Sequence, residues 1–556
     1  MIRKLLALSL STTLILSGCG QGTVSNPPGN GNSNTTPPPV PTTASKAIKH
    51  VVVIFGENIS FDFYYGTYPV AANLPSNKSK FTAATGTPVP VNLTSAGLLS
   101  NNPNRNILNG TGATNPFRLD IAQAATADQD HDYGPEQMAF HNGKMDLFPL
   151  SVGTPNLTSV AQSTGAPAIT TTTGLTMGYF DGNTVTAMWN YAQHYALNDN
   201  SFGSTFGPST PGAINLISGQ TNGAIDTDNS GATVADGQGG LTLNSDADPT
   251  GDMCSGPGTV SMTGKNIGDL LNAAKVSWGF FEGGFDLTVT NSNGTTGCKR
   301  TTTSAITNAT KADYIPHHQP FQYYASTQNL NHLRPTSVAA IGSTDQANHQ
   351  YDAHDFTDAL AAGNMPAVSF LKAPGFQDAH AGYSDPLDEQ TFVVNTINAI
   401  QQSQFWDSTA IIIAYDDSDG WYDHVFNIVN GSNSSQDAFT SAGVCSTSSA
   451  NGSNALPGVT SPNPVQGRCG YGPRLPLMVI SPWAQKNVID HTLTDQSSIT
   501  RFIEDTFLSS TRIGGGSFDS IAGSLNNMFN FTNGAVIPNP NVVVLSPTTG
   551  LVTSGN

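Results

Sequence analysis

The sequence predicts an α/β protein in which a mostly parallel central sheet is flanked by helices. Three observations carry that prediction. First, HVVVIF (50–55), AVSFL (367–371), AIIIAY (410–415) and LPLMVIS (475–481) are short apolar runs without alternation. Strands covered on both faces, as in parallel sheets, have this character. Second, TVTAMWNYAQHYA (184–196), KNIGDLLNAAK (265–275), LDEQTFVVNTINAIQQS (387–403) and SSITRFIEDTF (497–507) space their apolar residues at helical intervals. Third, the two kinds of segment alternate along the chain, the pattern of helices layered on a parallel sheet.

The N-terminus precedes that fold. MIRKLLALSLSTTLILSGCG sets Arg3 and Lys4 before an apolar run ending at Leu16, too short for a membrane span and suited to a secretory signal over 1–18. LSGC (16–19) resembles the bacterial lipoprotein box, which implies that Cys19 is lipidated. Gly20 follows, so the expectation is an exported chain, lipid-anchored at a bacterial outer membrane and facing periplasm or exterior. Residues 19–46 are rich in Pro, Gly, Ser, Thr and Asn and read as a disordered tether. Residues 47–556 read as one folded domain.

Composition narrows the function. Of 556 residues, 37% are hydrophobic and 11% charged, with 21 basic against 39 acidic side chains and a net charge of −18. No basic stripe is present, so nucleic acid is not an expected partner. The same field repels anionic substrates, so phosphate chemistry would need a local positive centre such as a metal. Five cysteines are present. Without Cys19, four remain, and an even number in an exported chain implies two disulfides. Three pairings are possible; Cys254–Cys298 and Cys445–Cys469 would close local loops. No C-x-x-C motif points to zinc.

Ligands in α/β sheets sit beyond the carboxyl ends of strands. After VVVIF come Glu57 and Asn58; after AIIIAY come Asp416 and Asp417. If the two strands are neighbours, four oxygen donors converge, a set suited to a hard divalent cation such as Ca²⁺, Mg²⁺ or Mn²⁺. DDSDGWYDH lacks the spacing of an EF-hand loop, and DTDNSG (226–231) reads as a turn. FGPSTPGAINLISG (206–219) offers Ser209 as a nucleophile on a rigid turn, with Thr210 an adjacent competitor. His131, His317, His318, His380, His424 and His491 lie in polar loops, where imidazoles could donate to phosphoryl oxygens or protonate a leaving group.

Taken together, IKHVVVIFGENISFDFYYGTYP, DQDHDYGPEQMAFHNGKMD, MGYF, FGPSTP, SDPLDEQTFVVNTINAIQQS, AIIIAYDDSDGWYDHV and PLMVISPWAQKNVIDHT resemble the bacterial phosphoesterase family. That family holds phospholipases C and acid phosphatases within the alkaline-phosphatase-like superfamily. The resemblance implies an alkaline-phosphatase-like domain, a divalent metal on Glu57, Asn58, Ser209, Asp416 and Asp417, a nucleophile at Ser209, and active-site histidines at His131, His318 and His380. Its usual E-N-R-S-F-D reads here as E-N-I-S-F-D, with Ile59 in place of Arg. The Ser nucleophile and the DDSDGWYDH variant look like the acid phosphatase branch. The phospholipases typically carry a twin-Arg signal and often C-terminal β-domains. The expectation is therefore an acid phosphatase acting on phosphomonoesters through a phosphoserine, with a phospholipase C for phosphatidylcholine-type lipids as the alternative and a non-catalytic surface lipoprotein a remoter one. Trp278, Phe280 and Phe281 could serve a choline pocket, but read first as a buried strand.

Overall fold

Eight strands form the main sheet: β1 (His50–Gly56), β2 (Ala196–Asn198), β3 (Trp278–Glu282), β4 (Gln350–Asp352), β5 (Val368–Lys372), β6 (Thr409–Tyr415), β7 (Leu477–Ile480) and β8 (Val488–Asp490). Their order is β4-β3-β5-β1-β6-β7-β2-β8. This computed structural model describes residues 43–157, 166–235, 240–426, 470–531, 537 and 542–555. The signal segment, Cys19, the tether through residue 42, Cys445 and Cys469 lie outside the described residues.

β1 and β6 lie at the middle of the sheet because both are apolar and β-branched, and such residues fill a pleated surface buried on both sides. Val51 to Phe55 are all buried, as is every residue of β6. β1 pairs in parallel with β5 on one side and β6 on the other, with Ile54 opposite Leu371 and Gly56 opposite Tyr415. β3 and β4 continue the parallel arrangement outward. The expected strand in SWGFFEGGF is therefore β3.

One expectation is corrected. LPLMVIS was expected to supply a parallel strand; β7 runs antiparallel to both β6 and β2. A wholly buried apolar run reads the same in either direction, and direction comes from the connections. The last residues expected in the tether also differ: residues 44–47 form a helical turn, because Ala47 and Ile48 are anchored in the core and alanine favours helix.

Six helices matter for the site: α1 (Tyr133–Phe140), α2 (Thr186–His194), α3 (Ser209–Ser218), α4 (Ile267–Ala274), α5 (Pro386–Gln401) and α6 (Gln496–Phe507). α3 is buried along its whole length and packs on α6, where Thr500 donates to the Leu216 carbonyl. α5 packs on α2 through Gln390, whose side-chain oxygen accepts from the Ala187 amide at 3.2 Å. Asp385 caps α5 by accepting from Leu387 and Asp388 amides. Five short strands, at 222–225, 233–235, 241–243, 248–249 and 259–262, form a separate sheet, unforeseen because each is only two to four residues long. DTDNSG is a turn there: the Asp226 carboxylate accepts from Ser230 and Thr233. Cys254 and Cys298 form the expected disulfide. Among the described residues, no helix is long and apolar enough to cross a membrane.

Candidate active site

The register of β1 against β6 decides where the carboxylates go. Gly56 and Tyr415 face each other at the strand ends, so Glu57-Asn58 and Asp416-Asp417 leave the sheet side by side. A side chain at position 56 would not fit, since its Cβ would lie 2.6 Å from the Tyr415 ring. Asn58 then turns with φ of 64°, a left-handed conformation that Asn tolerates. Its amide N–H donates to Asp416 Oδ1 at 3.0 Å, and its Nδ2 donates to Asp419 Oδ1 at 2.9 Å. The amide oxygen is thereby left facing Ser209.

Ser209 begins α3, directly after the Gly207-Pro208 turn. Its hydroxyl donates to Glu57 Oε2 at 2.9 Å and lies 3.2 Å from Asp417 Oδ2 and 3.5 Å from Asn58 Oδ1. Thr210 points elsewhere: its hydroxyl and its amide both donate to Asp246 Oδ1. α3 approaches the end of β6 so closely that only glycine fits at 212, where a Cβ would stand 2.7 Å from the carbonyl carbon of Asp416. The structure thus brings Glu57, Asn58, Ser209, Asp416 and Asp417 into one buried cluster.

One expected histidine, His318, touches that cluster, and His131 stands beside it on Asp419. His318 Nδ1 lies 3.3 Å from Glu57 Oε1, and His131 Nδ1 lies 3.4 Å from Asp419 Oδ1. His380 stacks on Tyr383, and its ring centre lies 6.0 Å from that of His131. The other loop histidines go elsewhere: His317 pairs with Asp248, exposed His491 with Asp199, and His424 with Asp62. Ile59 is buried, with its amide N–H donating to the Asp417 carbonyl, so its side chain serves packing.

Several partners were not foreseen. Lys372, at the end of β5, is fully buried; its ammonium ion-pairs with Glu57 and lies 3.2 Å from Asp416 Oδ2. The signal was available, since AVSFL is followed by a charged residue at a strand end, the feature that singled out Glu57 and Asp416. Asp378 accepts from the His380 amide and from Tyr383 Oη, and its backbone carbonyl accepts from the Glu57 amide. Glu136 of α1 accepts from the Gly207 amide at 3.0 Å and from Ser418 Oγ at 2.9 Å, tying the Ser209 turn to the DDSD loop. No spacing rule would have selected it. The far end of that loop is fixed by Arg474, which donates to both oxygens of Asp423 and to Asp62 while lying over Phe61.

Electrostatics separates these groups. Burial and the neighbouring Asp416 push the Glu57 carboxyl well above the usual range, and burial lifts Asp417 to about 7. Burial would raise Asp416 too, but Lys372 holds it below its ordinary value. Burial depresses His318 well below the usual imidazole range and His380 to about 4. His131 goes the other way: against burial, Asp417 and Asp419 raise it well above its ordinary value. Three buried carboxylates, Glu57, Asp416 and Asp417, gather around one ammonium and one hydroxyl. Such an all-oxygen, net-negative pocket fits a hard divalent cation.

Comparison with known proteins gives a consistent picture. The family model described as "Phosphoesterase family" matches residues 48–508. A non-hemolytic phospholipase C of Pseudomonas aeruginosa is 25% identical over 214 residues, which cover 35% of this chain and 28% of that protein. Phospholipase C A of Mycobacterium tuberculosis is 21% identical over 511 residues, 89% of this chain and 79% of the relative. A non-hemolytic phospholipase C of Burkholderia pseudomallei is 26% identical over 182 residues, covering 31% of this chain and 24% of that protein. The chain therefore aligns with about a quarter of the Pseudomonas and Burkholderia proteins and with most of the mycobacterial one.

Proposed function

Because the chain belongs to the phosphoesterase family and is an ester-bond hydrolase, we propose that it is a phospholipase C with Ser209 as its nucleophile. The observation that carries the nucleophile is the seating of Ser209 Oγ, at the start of α3, within 3.5 Å of Glu57, Asn58 and Asp417 oxygens. The relatives named above are phospholipases C, which favours a phospholipid diester over the phosphomonoester expected from the sequence. The acid phosphatase reading has the weaker support.

Glu57, Asn58, Ser209, Asp416 and Asp417 would hold the cation. A divalent metal bound there lowers the pKa of a serine hydroxyl and offsets charge on phosphoryl oxygens. The chain's own groups do the rest. Glu57 Oε2 already accepts the Ser209 proton in a hydrogen bond. Ser209 Oγ attacks phosphorus, and the diacylglycerol oxygen leaves with a proton. His131 is suited to give that proton, because Asp417 and Asp419 keep its ring charged. His318 and His380, neutral at the same pH, can donate hydrogen bonds to phosphoryl oxygens. Water then cleaves the phosphoserine ester and releases the phosphorylated headgroup. The expected membrane anchor at Cys19 would hold such an enzyme beside its lipid substrate.

The test compares p-nitrophenylphosphorylcholine with p-nitrophenyl phosphate, with and without chelator, for wild type and Ser209→Ala. The expected result is chelator-sensitive cleavage of the diester, lost in S209A with stability and metal content retained. Cleavage of the monoester alone would return the reading to an acid phosphatase. Normal turnover in S209A would remove Ser209 from the mechanism.

A further inference from the structure

One part of the surface reverses the usual pattern of polar out and apolar in. Ile107, Leu108 and Leu150 are 90%, 60% and 55% exposed, whereas Asn104 and Asn109 are buried. The side chains of Asn104, Asn106 and Asn109 donate inward to the backbone carbonyls of Met145 and Asp146, at 2.6 to 2.9 Å. Asn109 Oδ1 in turn accepts from the Leu150 amide at 3.1 Å. Segments 104–109 and 145–150 are thus laced together by side-chain amides, and the lacing turns polar groups in and aliphatic ones out. A lone exposed leucine is ordinary; adjacent aliphatic side chains held outward on a fixed frame mark a contact surface.

The charge at this tip also departs from that of the chain. Residues 63–119 contain Lys78, Lys80, Arg105 and Arg118 but no acidic residue, and residues 147–180 contain no charged residue, in a chain of net charge −18. Arg105 and Lys144, both exposed, stand where the two laced segments begin, and Asp146 is engaged by His141 at 2.6 Å. Aliphatic side chains beside cations match the edge of a lipid bilayer, where acyl chains lie beneath phosphate groups. The negative charge of the whole chain opposes approach to an anionic bilayer, so a zwitterionic one fits better.

The tip is also joined to the site. The helical turn Phe148–Ser151, which carries Leu150, lies on the loop that follows Asp417: the Phe148 ring meets that of Tyr422 edge-on, 4.9 Å between centres. The Asp130 amide, next to His131, donates to the Val152 carbonyl at 2.8 Å. We propose that Ile107, Leu108 and Leu150 dock on a zwitterionic bilayer, with Arg105 and Lys144 toward its phosphates, and so bring the Ser209 site to lipid. Lipid as the partner rests on the phospholipase C reading of the site.

The test uses the full chain and phosphatidylcholine vesicles. All five tryptophans are buried, so Leu108→Trp adds one that reports on the tip. Its emission should shift to the blue on vesicles and be quenched by brominated phosphatidylcholine. Val338→Trp is the control: Val338 is exposed and precedes Gly342, whose carbonyl accepts from the Trp278 amide at the start of β3, the opposite end of the sheet. It should stay unquenched, which separates docking of the tip from attachment through an acylated Cys19. Ile107→Ser with Leu108→Ser should lower cleavage of phosphatidylcholine vesicles about tenfold or more per side chain, while dissolved p-nitrophenylphosphorylcholine is cleaved at the wild-type rate. An L108W tryptophan left unquenched, or quenched no more than that of V338W, would overturn the docking surface. So would an equal fall on both substrates in the double variant. A blue shift without lipid, traced by sedimentation to self-association, would assign the tip to a second copy of the chain instead. Quenching of L108W in an enzyme that cleaves neither substrate would sink the phospholipase C reading and leave the docking surface standing.

Discussion

Gly212→Ala is the sharpest test of how the nucleophile is placed. The added Cβ would stand 2.7 Å from the Asp416 carbonyl carbon and 2.9 Å from its Cα, and closer still to its carbonyl oxygen. Carbon atoms settle at about 3.5–4.0 Å, so α3 and the end of β6 must separate by about 1 Å. Neither side is a flexible side-chain tip; both are backbone. Overpacking of this kind costs about 1–3 kcal/mol of stability, and a reacting group displaced by about 1 Å loses roughly 100-fold in rate. Ser209 hydrogen-bonds to Glu57 and approaches Asp417, and both follow strands that α3 would be leaving. The expected result is a folded protein with a modestly lowered melting temperature, turnover reduced about 100-fold and weaker divalent-metal binding. Gly256→Ala serves as a control, since its Cβ would meet only Asp248 Oδ2 at 3.7 Å. Wild-type turnover in G212A would refute the argument that backbone contact between α3 and β6 sets the position of the nucleophile.

Three further outcomes follow from other parts of the molecule. Lys372→Met leaves Glu57 and Asp416 without their buried counter-ion; metal-free protein should lose about 3–5 kcal/mol in chemical denaturation, with part of the loss restored by a divalent cation. Cys298→Ser opens a disulfide of sequence separation 44, and loop-closure entropy puts the loss at about 4 kcal/mol, measured the same way. Asp62 and His424 give a pH signature. Despite burial, His424 and Arg474 hold the Asp62 carboxyl below its ordinary value, and Asp62 raises His424 despite burial. Asp62 therefore stabilises above the ordinary carboxylate pKa, and that contribution is lost as pH falls through its depressed folded value. His424 stabilises below the ordinary imidazole pKa and loses its contribution as pH rises through its raised folded value. The difference in unfolding free energy between wild type and Asp62→Asn should peak between those limits and shrink on either side; a difference flat from acid to alkaline pH would contradict the pairing.

Much of this was legible because strand ends are legible. The apolar runs at 50–55 and 410–415 marked β1 and β6, and the residues after each run lie where the register delivers them. Ser209 was legible from a Gly-Pro turn leading into a helix. What the sequence hid depends on pairing at a distance. Glu136, Asp378 and Asp419 look like ordinary acidic residues until the fold shows what each carboxylate touches. Arg474 meets Asp62 across 412 residues, a separation no local pattern encodes. The sheet at 222–262 escaped notice because strands of two to four residues carry too few side chains to show a period.

The separations within the site also bear on when the enzyme can exist at all. Ser209 is 152 residues from Glu57 and 208 from Asp417. The cluster cannot form locally, because its members meet only after β1 has paired with β6 and α3 has docked on the strand end. Contacts so distant in sequence close late, after the entropy of the intervening loops has been overcome. A growing chain that has not yet reached Asp417 has no assembled centre, and neither has one cleaved ahead of β6. Biosynthesis thus yields no partial centre: hydrolase capacity would arise in one step, only after the chain has passed Asp417 and its strands have paired.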